Sequence, residues 1–324
     1  MKRITVALSL VSAVFMLVVT VGSLSAQSYP NRPIQLVIPI PAGAQADISA
    51  RIVADEMARI LGTQIIVANK PGASNIVGTD FVVRSKKDGY TIVYAGSGVV
   101  VYIRVTDPEM LPFDPTKDLE PLGVYVFYPL TVTVQESSPW KTFQEFVEYA
   151  KKNPGKIRAS TSGIGSSDHF NIGIIQSLTG AQFTHVPFKG GESVVTALLG
   201  GHVEAAFDTL SKVLPHVSAG KLRVLAISKK RADYPNIPTL IELGYKQGLI
   251  SAWFGFYAPS GIPEDAKRAL VAAIEKSINH PELKAKTEKL GFIVDYKSPA
   301  ETKKLIADDY DNAVAIAEKL GIKK

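Results

Sequence analysis

The chain has 324 residues, 46% of them hydrophobic and 20% charged, with no cysteine and a formal charge of +6. That length allows two modest cores or one large one and leaves no room for a long disordered tail. The lack of cysteine excludes a disulfide framework, a lipid-bearing cysteine and a cysteine nucleophile. The mild positive excess favours anions, but no dense Lys/Arg stripe with interleaved aromatics marks a nucleic-acid partner.

Lys2 and Arg3 precede an apolar run over 4–21 that closes in Gly22-Ser23-Leu24-Ser25-Ala26. Positive, then apolar, then small is the order of a cleavable secretory leader. A run this long could also remain as a membrane anchor. Thr5, Ser9, Ser12 and Thr20 weaken it, and cleavage after Ala26 is expected, with residues 1–26 as signal peptide and the remainder exported and soluble. Loss of Lys2 and Arg3 takes the formal charge from +6 to +4.

From residue 29 onward, β-branched runs alternate with amphipathic stretches. Residues 34–40 read as a buried strand, and Ile48, Ile52, Val53, Met57, Ile60 and Leu61 share a helical face opposite Arg51, Asp55 and Arg59. Gly62 ends that helix; a strand over 64–68, a helix over 75–86 and a strand over 90–95 follow. The order implies a right-handed, mainly parallel sheet. After the prolines at 108, 112 and 115, one long strand is expected over 124–134, then a helix opened by the capping box Thr142-Phe-Gln-Glu145. Alternation restarts with strands over 157–161, 183–186, 203–207 and 222–227. An aromatic-rich strand over 252–258, a helix opened by Pro263, a strand over 292–296 and a final helix to Leu320 complete the chain. The pattern predicts an α/β fold of two lobes joined by two crossings: 27–126 with 252–324, and 127–251. The C-terminal helices are expected to return to the first lobe.

In open α/β sheets ligands sit beyond the carboxyl ends of strands, where loops enter helix N-termini. Four loops stand out. In Pro41-Ala-Gly-Ala-Gln-Ala-Asp47, Gly43 and Ala44 allow backbone amides to face an anion, while Asp47 is either the helix N-cap or a ligand contact. Gly96-Ser97-Gly98 permits close approach of a ligand or is an ordinary turn. In Thr161-Ser-Gly-Ile-Gly-Ser-Ser-Asp-His169, the hydroxyls and amides of Ser162, Ser166 and Ser167 either cap the next helix or hold an anion, since both use the same groups. Phe188-Lys-Gly-Gly191 follows a strand, with Lys189 read as a solvated charge, and Asp208 ends the next strand, where burial would demand partners.

Taken together and in order, YPNRPIQLVIPIPAGAQAD, NKPGASNIVGTD, KDGYTIVYAGSG, TSGIGSSDH, PFKGG, LLGGHVEAAFD and SAWFGFYAPSGIP resemble the Bug family, the periplasmic substrate-binding proteins of tripartite tricarboxylate transporters. The resemblance implies a type II periplasmic-binding-protein fold whose two α/β lobes close on an organic acid, with membrane transporter subunits as partners, no cofactor and a monomeric state. It places the ligand at Gly43, Ala44, Asp47, Ser97, Ser162, Ser166, Ser167, His169, Gly190, Gly191 and Asp208. Two departures matter: Ala42-Gly43-Ala44 stands where the family has consecutive glycines, and Phe188 where it has tyrosine. The added methyls restrict the loop, Gln45 can supply a side-chain amide, and the lost hydroxyl makes one wall more apolar.

Against an enzyme stand the lack of a G-x-S-x-G elbow, a P-loop and an H-E-x-x-H motif. Asp168 and His169 are adjacent and point apart, a poor base and orienter pair. His169, His185, His202 and His216 lie 14 to 17 residues apart and read as structural. A receptor that reports to a signalling partner uses the same closure and is not separable from uptake at this level. The loops show no basic side chain for a further carboxylate, which favours a mono- or dicarboxylate over a tricarboxylate.

Overall fold

The computed structural model describes residues 29–188 and 192–323. The leader expected at 1–26, and Gly190 and Gly191, therefore lie outside the described residues. Two mixed sheets organise the chain, one of six strands and one of five.

In the first sheet β1 (Ile34–Ile38), β2 (Ile65–Asn69) and β3 (Thr91–Gly96) run parallel with β1 in the middle. The crossovers are α1 (Gln45–Leu61) and α2 (Ile76–Val83). α1 buries Ala50, Val53, Ala54 and Met57 and leaves Arg51, Asp55 and Arg59 exposed. Ile48, expected on the buried face, is 40% exposed, because small residues bring the helix axis close to the sheet. Gly62 takes the left-handed conformation that ends α1 (φ 63°). The helix expected over 75–86 is shorter: a 3-10 turn, Ala73–Asn75, precedes α2. Gly78 of α2 backs onto the ends of β1 and β2 so closely that a Cβ there would lie 2.8 Å from Pro39 Cβ and 2.7 Å from the Lys70 carbonyl.

A π-helical turn (Gly98–Tyr102) and α3 (Ile103–Thr106) follow β3. The single strand expected over 124–134 is two strands in two sheets. β4 (Leu119–Tyr128) joins the first sheet and β5 (Leu130–Gln135) the second, on either side of Pro129, which lacks the N–H a continuous ladder would use. The second sheet then adds α4 (Phe143–Lys152), β6 (Ile157–Thr161), α5 (Ser167–Thr179), β7 (Phe183–Pro187), α6 (Glu192–Leu199), β8 (Ala205–Thr209), α7 (Leu210–Ser218) and β9 (Leu222–Ile227). β6 is parallel to β7 and β8, whereas β5 is antiparallel to β8 and β9. The Thr142–Glu145 capping box forms as expected.

The chain returns through residues 228–251 to β10 (Ala252–Pro259), antiparallel to β3 and β4. The two crossings touch: Ser228 Oγ lies 2.7 Å from Ser251 Oγ and accepts from the Leu130 amide at 2.9 Å. The last third is α8 (Glu264–Ile278), α9 (Pro281–Glu288), β11 (Ile293–Lys297) and α10 (Pro299–Leu320). α8 packs on α1 and β11 extends the first sheet beside β4. α10 does not stay with the first sheet alone. It covers β4 and also lies against α5, where Gly173 admits it: a Cβ there would stand 2.5 Å from Leu320.

Candidate ligand-binding cleft

The carboxyl ends of β1 and β3 in one lobe and of β6 and β8 in the other carry the loops singled out above. Contacts across the lobes bring them together. Ser211 near the start of α7 donates to Gln45 Oε1 at the start of α1 at 3.0 Å. The loop before α5 reaches α3, where a Cβ on Gly165 would lie 2.6 Å from Thr106 Oγ1. The N-termini of α1, α5 and α7 thus belong to one region between the sheets.

The first loop turns at Gly43 (φ 82°), and the N-cap of α1 is Ala44, which offers no side chain. Asp47 is not the N-cap of α1, one of the two roles expected of it. It lies inside the first turn, 2% exposed, and binds the protein itself. Oδ2 accepts from the Gly43 amide at 2.9 Å and from Arg51 Nε at 3.0 Å, and Oδ1 accepts from Asn69 Nδ2 at 2.8 Å. Burial pushes its carboxyl upward, but the donors from Arg51, Asn69 and Gly43 outweigh burial and hold it below the ordinary carboxylate range. The Gly43 amide is therefore committed. The amides of Gln45, Ala46 and Asp47, which no helical carbonyl can reach, remain at the positive end of the helix.

Ser97 is 2% exposed and its Oγ accepts from the Trp253 amide at 3.4 Å, so it ties the end of β3 to β10. In the loop before α5, Ser166 is the N-cap: its hydroxyl accepts from the His169 amide at 3.2 Å and donates to the Gly163 carbonyl at 2.8 Å. Ser162 donates through its amide (3.1 Å) and its hydroxyl (2.5 Å) to Asp168 Oδ2. Ser167 opens the helix. The capping reading and the anion reading thus meet in one place, and the anion held there by Ser162 is the chain's own Asp168.

His169 accepts from the Gly165 amide through Nδ1 at 3.2 Å and stacks on His185, ring centroids 3.9 Å apart. His185 Nε2 lies 2.6 Å from Thr161 Oγ1. Burial lowers both rings to about 4, and for His169 the neighbouring ring adds to it. The two histidines meet because β6 and β7 are neighbours, with Ala159 opposite His185. Sequence spacing cannot reveal that.

Asp208, 2% exposed, accepts from the Thr209 amide at 2.7 Å and faces Lys212 Nζ at 3.2 Å. Its carboxyl is pushed up to about 7 by burial, with Asp168 adding to the rise and Lys212 opposing it. Burial likewise raises Asp168. Neighbouring strands β6 and β8 thus place two buried acids close to one lysine, an arrangement missed from sequence although the Asp208 to Lys212 spacing is a helical one. Ser211, Thr209 and Asn69 were also missed. Among the described residues, no group of three or more His, Asp or Glu could hold a metal ion, and no helix is long and apolar enough to cross a membrane.

The sequence profile of the tripartite tricarboxylate transporter family receptor matches residues 49–322. The chain belongs to that receptor family. A UPF0065 protein encoded in the gbd 5' region of Cupriavidus necator is 35% identical, over 92% of this chain and 90% of that protein. BugT of Bordetella pertussis is 31% identical over 92% of each. Among solved structures, Rpa4515 of R. palustris with adipate superposes with a TM-score of 0.80 at 25% identity, over 91% of this chain and 99% of that one. MatC of Rhodopseudomonas palustris with bound malate gives 0.75 at 25% identity, over 89% and 99%. These overlays establish the periplasmic-binding-protein architecture in which the receptor family is built. The profile match begins inside α1, beyond β1, and takes in the other strands of both sheets.

Proposed function

We propose that this receptor-family chain is exported by its 1–26 leader, works in the periplasm, and captures a small mono- or dicarboxylate for the membrane subunits of a tripartite tricarboxylate transporter without transforming it. The lobes are 27–126 with 252–324, and 127–251, and closure of the gap between them is the binding event. The observation that carries this is the convergence of three helix N-termini across the lobes, joined by the Gln45 to Ser211 hydrogen bond; free helix-end amides are ready-made carboxylate donors. The adipate and malate bound to the two related receptors agree with an organic acid as ligand.

The internal bonds refine which groups grip it. Gly43, Ser162 and Ser166 shape the loops, with Ala44, Ser97 and Asp208 around them; Gly190 and Gly191 stay among the proposed ligand contacts. With them, the amides at 45–47 and the groups of Ser167, His169 and Ser211 are the ones that meet the ligand. Lys212 is held by Asp208, so the donors are neutral dipoles rather than free cations.

Isothermal titration of the leaderless chain with malate and adipate tests the reading. Binding of at least one is expected, and a double variant, Ser166→Asp with Ser167→Asp, should weaken it at least about 100-fold, because aspartate still caps a helix while repelling a carboxylate. An unchanged dissociation constant in that variant would sink the assignment.

A further inference from the structure

The turn between α9 and β11 lies outside the loops just described, yet it is held from two sides by the second lobe. On one side Gly291 (φ 87°) abuts the start of α7; a Cβ built there would lie 3.0 Å from Ser211 Cβ and 3.1 Å from Ser211 Cα. On the other side stands Arg231, only 9% exposed. Its Nη1 donates to the Phe292 carbonyl at 2.6 Å and its Nη2 to the Glu288 carbonyl at 3.3 Å. The remaining edge forks onto Asp233 at 2.9 and 2.7 Å.

The segment that carries Arg231 belongs to the second lobe. Its far end is tied back to β9 by the Ile227 amide on the Pro238 carbonyl at 2.9 Å. Tyr234 and Ile237 pack into the apolar cluster of Val194, Leu198, Leu210 and Val213. Lys229 makes a second bridge, its Nζ 2.6 Å from Asp295 Oδ2 on β11. A guanidinium beside the end of α9 is favoured by the helix dipole, and its fork to Asp233 fixes the plane that meets the two carbonyls. Parting the lobes would strip a buried arginine of its carbonyl partners and pull Gly291 from α7. The arginine's carbonyl bonds and the Gly291 contact thus both run between the lobes.

We propose that Arg231 and the Gly291 turn form a latch outside the ligand cleft that sets how much of the receptor is closed. The proposal rests on the reading of the cleft as one that closes on its ligand. Arg231 is then a positioning residue: it touches no ligand, but apparent affinity scales with the population of the binding-competent state.

The chain contains no cysteine, so a pair introduced as Ser211→Cys with Gly291→Cys reports closure by itself. Their Cβ atoms would stand 3.0 Å apart, inside the about 3.5–4.5 Å of a disulfide, so the turn eases outward slightly to make the bond, and the cross-link forms only when turn and helix meet. Under glutathione disulfide and without ligand, the pair should cross-link, and adding Arg231→Ala should slow the reaction at least about 10-fold. Equal rates in the two backgrounds would overturn the latch. If circular dichroism shows Arg231→Ala unfolded, Arg231→Lys replaces it; it keeps the charge but cannot span two carbonyls and Asp233, and the same slowing is expected. In the cysteine-free chain, Arg231→Ala should weaken malate or adipate binding by about 10-fold, and unchanged binding would also count against the latch. A latch that responds to Arg231 in a chain that binds no carboxylate would leave the latch standing and overturn the proposed ligand class instead.

Discussion

Two loops in this protein look alike in sequence: each leaves a parallel strand, passes through glycines and small residues, and enters a helix with an aspartate in its first turn. Their electrostatics are opposite. Asp47 is met by Arg51, Asn69 and the Gly43 amide and is held ionised. Asp168 accepts from Ser162, with Lys212 acting from α7 and Asp208 nearby, and burial raises it. The first loop is a saturated tie that keeps its aspartate charged. The second is a loop already seated on an anion of its own whose charge depends on pH. The difference teaches that the charge of an aspartate at a helix start is set by the donors and acids that packing brings beside it, not by the loop that carries it.

Three experiments break or sharpen this contrast. The largest effect is expected at Asp47. Asp47→Ala removes the acceptor of three donors and should cost about 3 kcal/mol in urea denaturation at pH 7; the figure is held down because the Arg51 side chain is 45% exposed. A loss under about 1 kcal/mol would show that the tie is dispensable.

The next effect is on pH dependence. His169 and His185 titrate near 4 in the folded chain against 6.5 for free histidine, so the unfolded chain binds more protons between those values. Their contribution is present above pH 6.5 and is lost as pH falls through about 4. Asp208, raised to about 7, works the other way: its contribution is present at low pH and lost as pH rises through 7. A net loss of about 2 kcal/mol from pH 6.5 to 4 is expected, and imidazole NMR titrations should place both rings near 4. Midpoints near 6.5 would contradict the stacked, neutral pair.

The smallest effect is expected from Asp168→Asn. The amide oxygen can keep both Ser162 donors, and the substitution removes a charge that burial disfavours. The substitution should favour stability more at pH 8 than at pH 5, because burial disfavours the charge the carboxyl carries at the higher pH. A loss at both pH values would mean that the carboxylate at 168 is needed ionised, like that at 47.

Much of the architecture was legible from local pattern. The strand and helix alternation, the Gly62 stop and the Thr142 capping box depend on residues within a few positions of each other, and they were found within a few residues of their places. The break at Pro129 was missed because apolar runs on both sides look continuous until one asks which sheet each joins. At the site, the loops could be singled out from sequence, but the state of their groups could not. Nothing near Asp47 in sequence announces Asn69, and nothing near His169 announces His185.

The sequence by itself determined the fold class, the receptor family, and the strand ends where a ligand could sit, because period, capping and punctuation are short-range physics. Only the tertiary structure decided which donors are already spent, which acids are buried together, and that Gln45 meets Ser211 and Arg231 meets the α9–β11 turn across the lobes. Hydrogen bonds and burial depend on neighbours brought from 22 to 166 positions away, and it is packing of the sheets, not proximity along the chain, that chooses those neighbours.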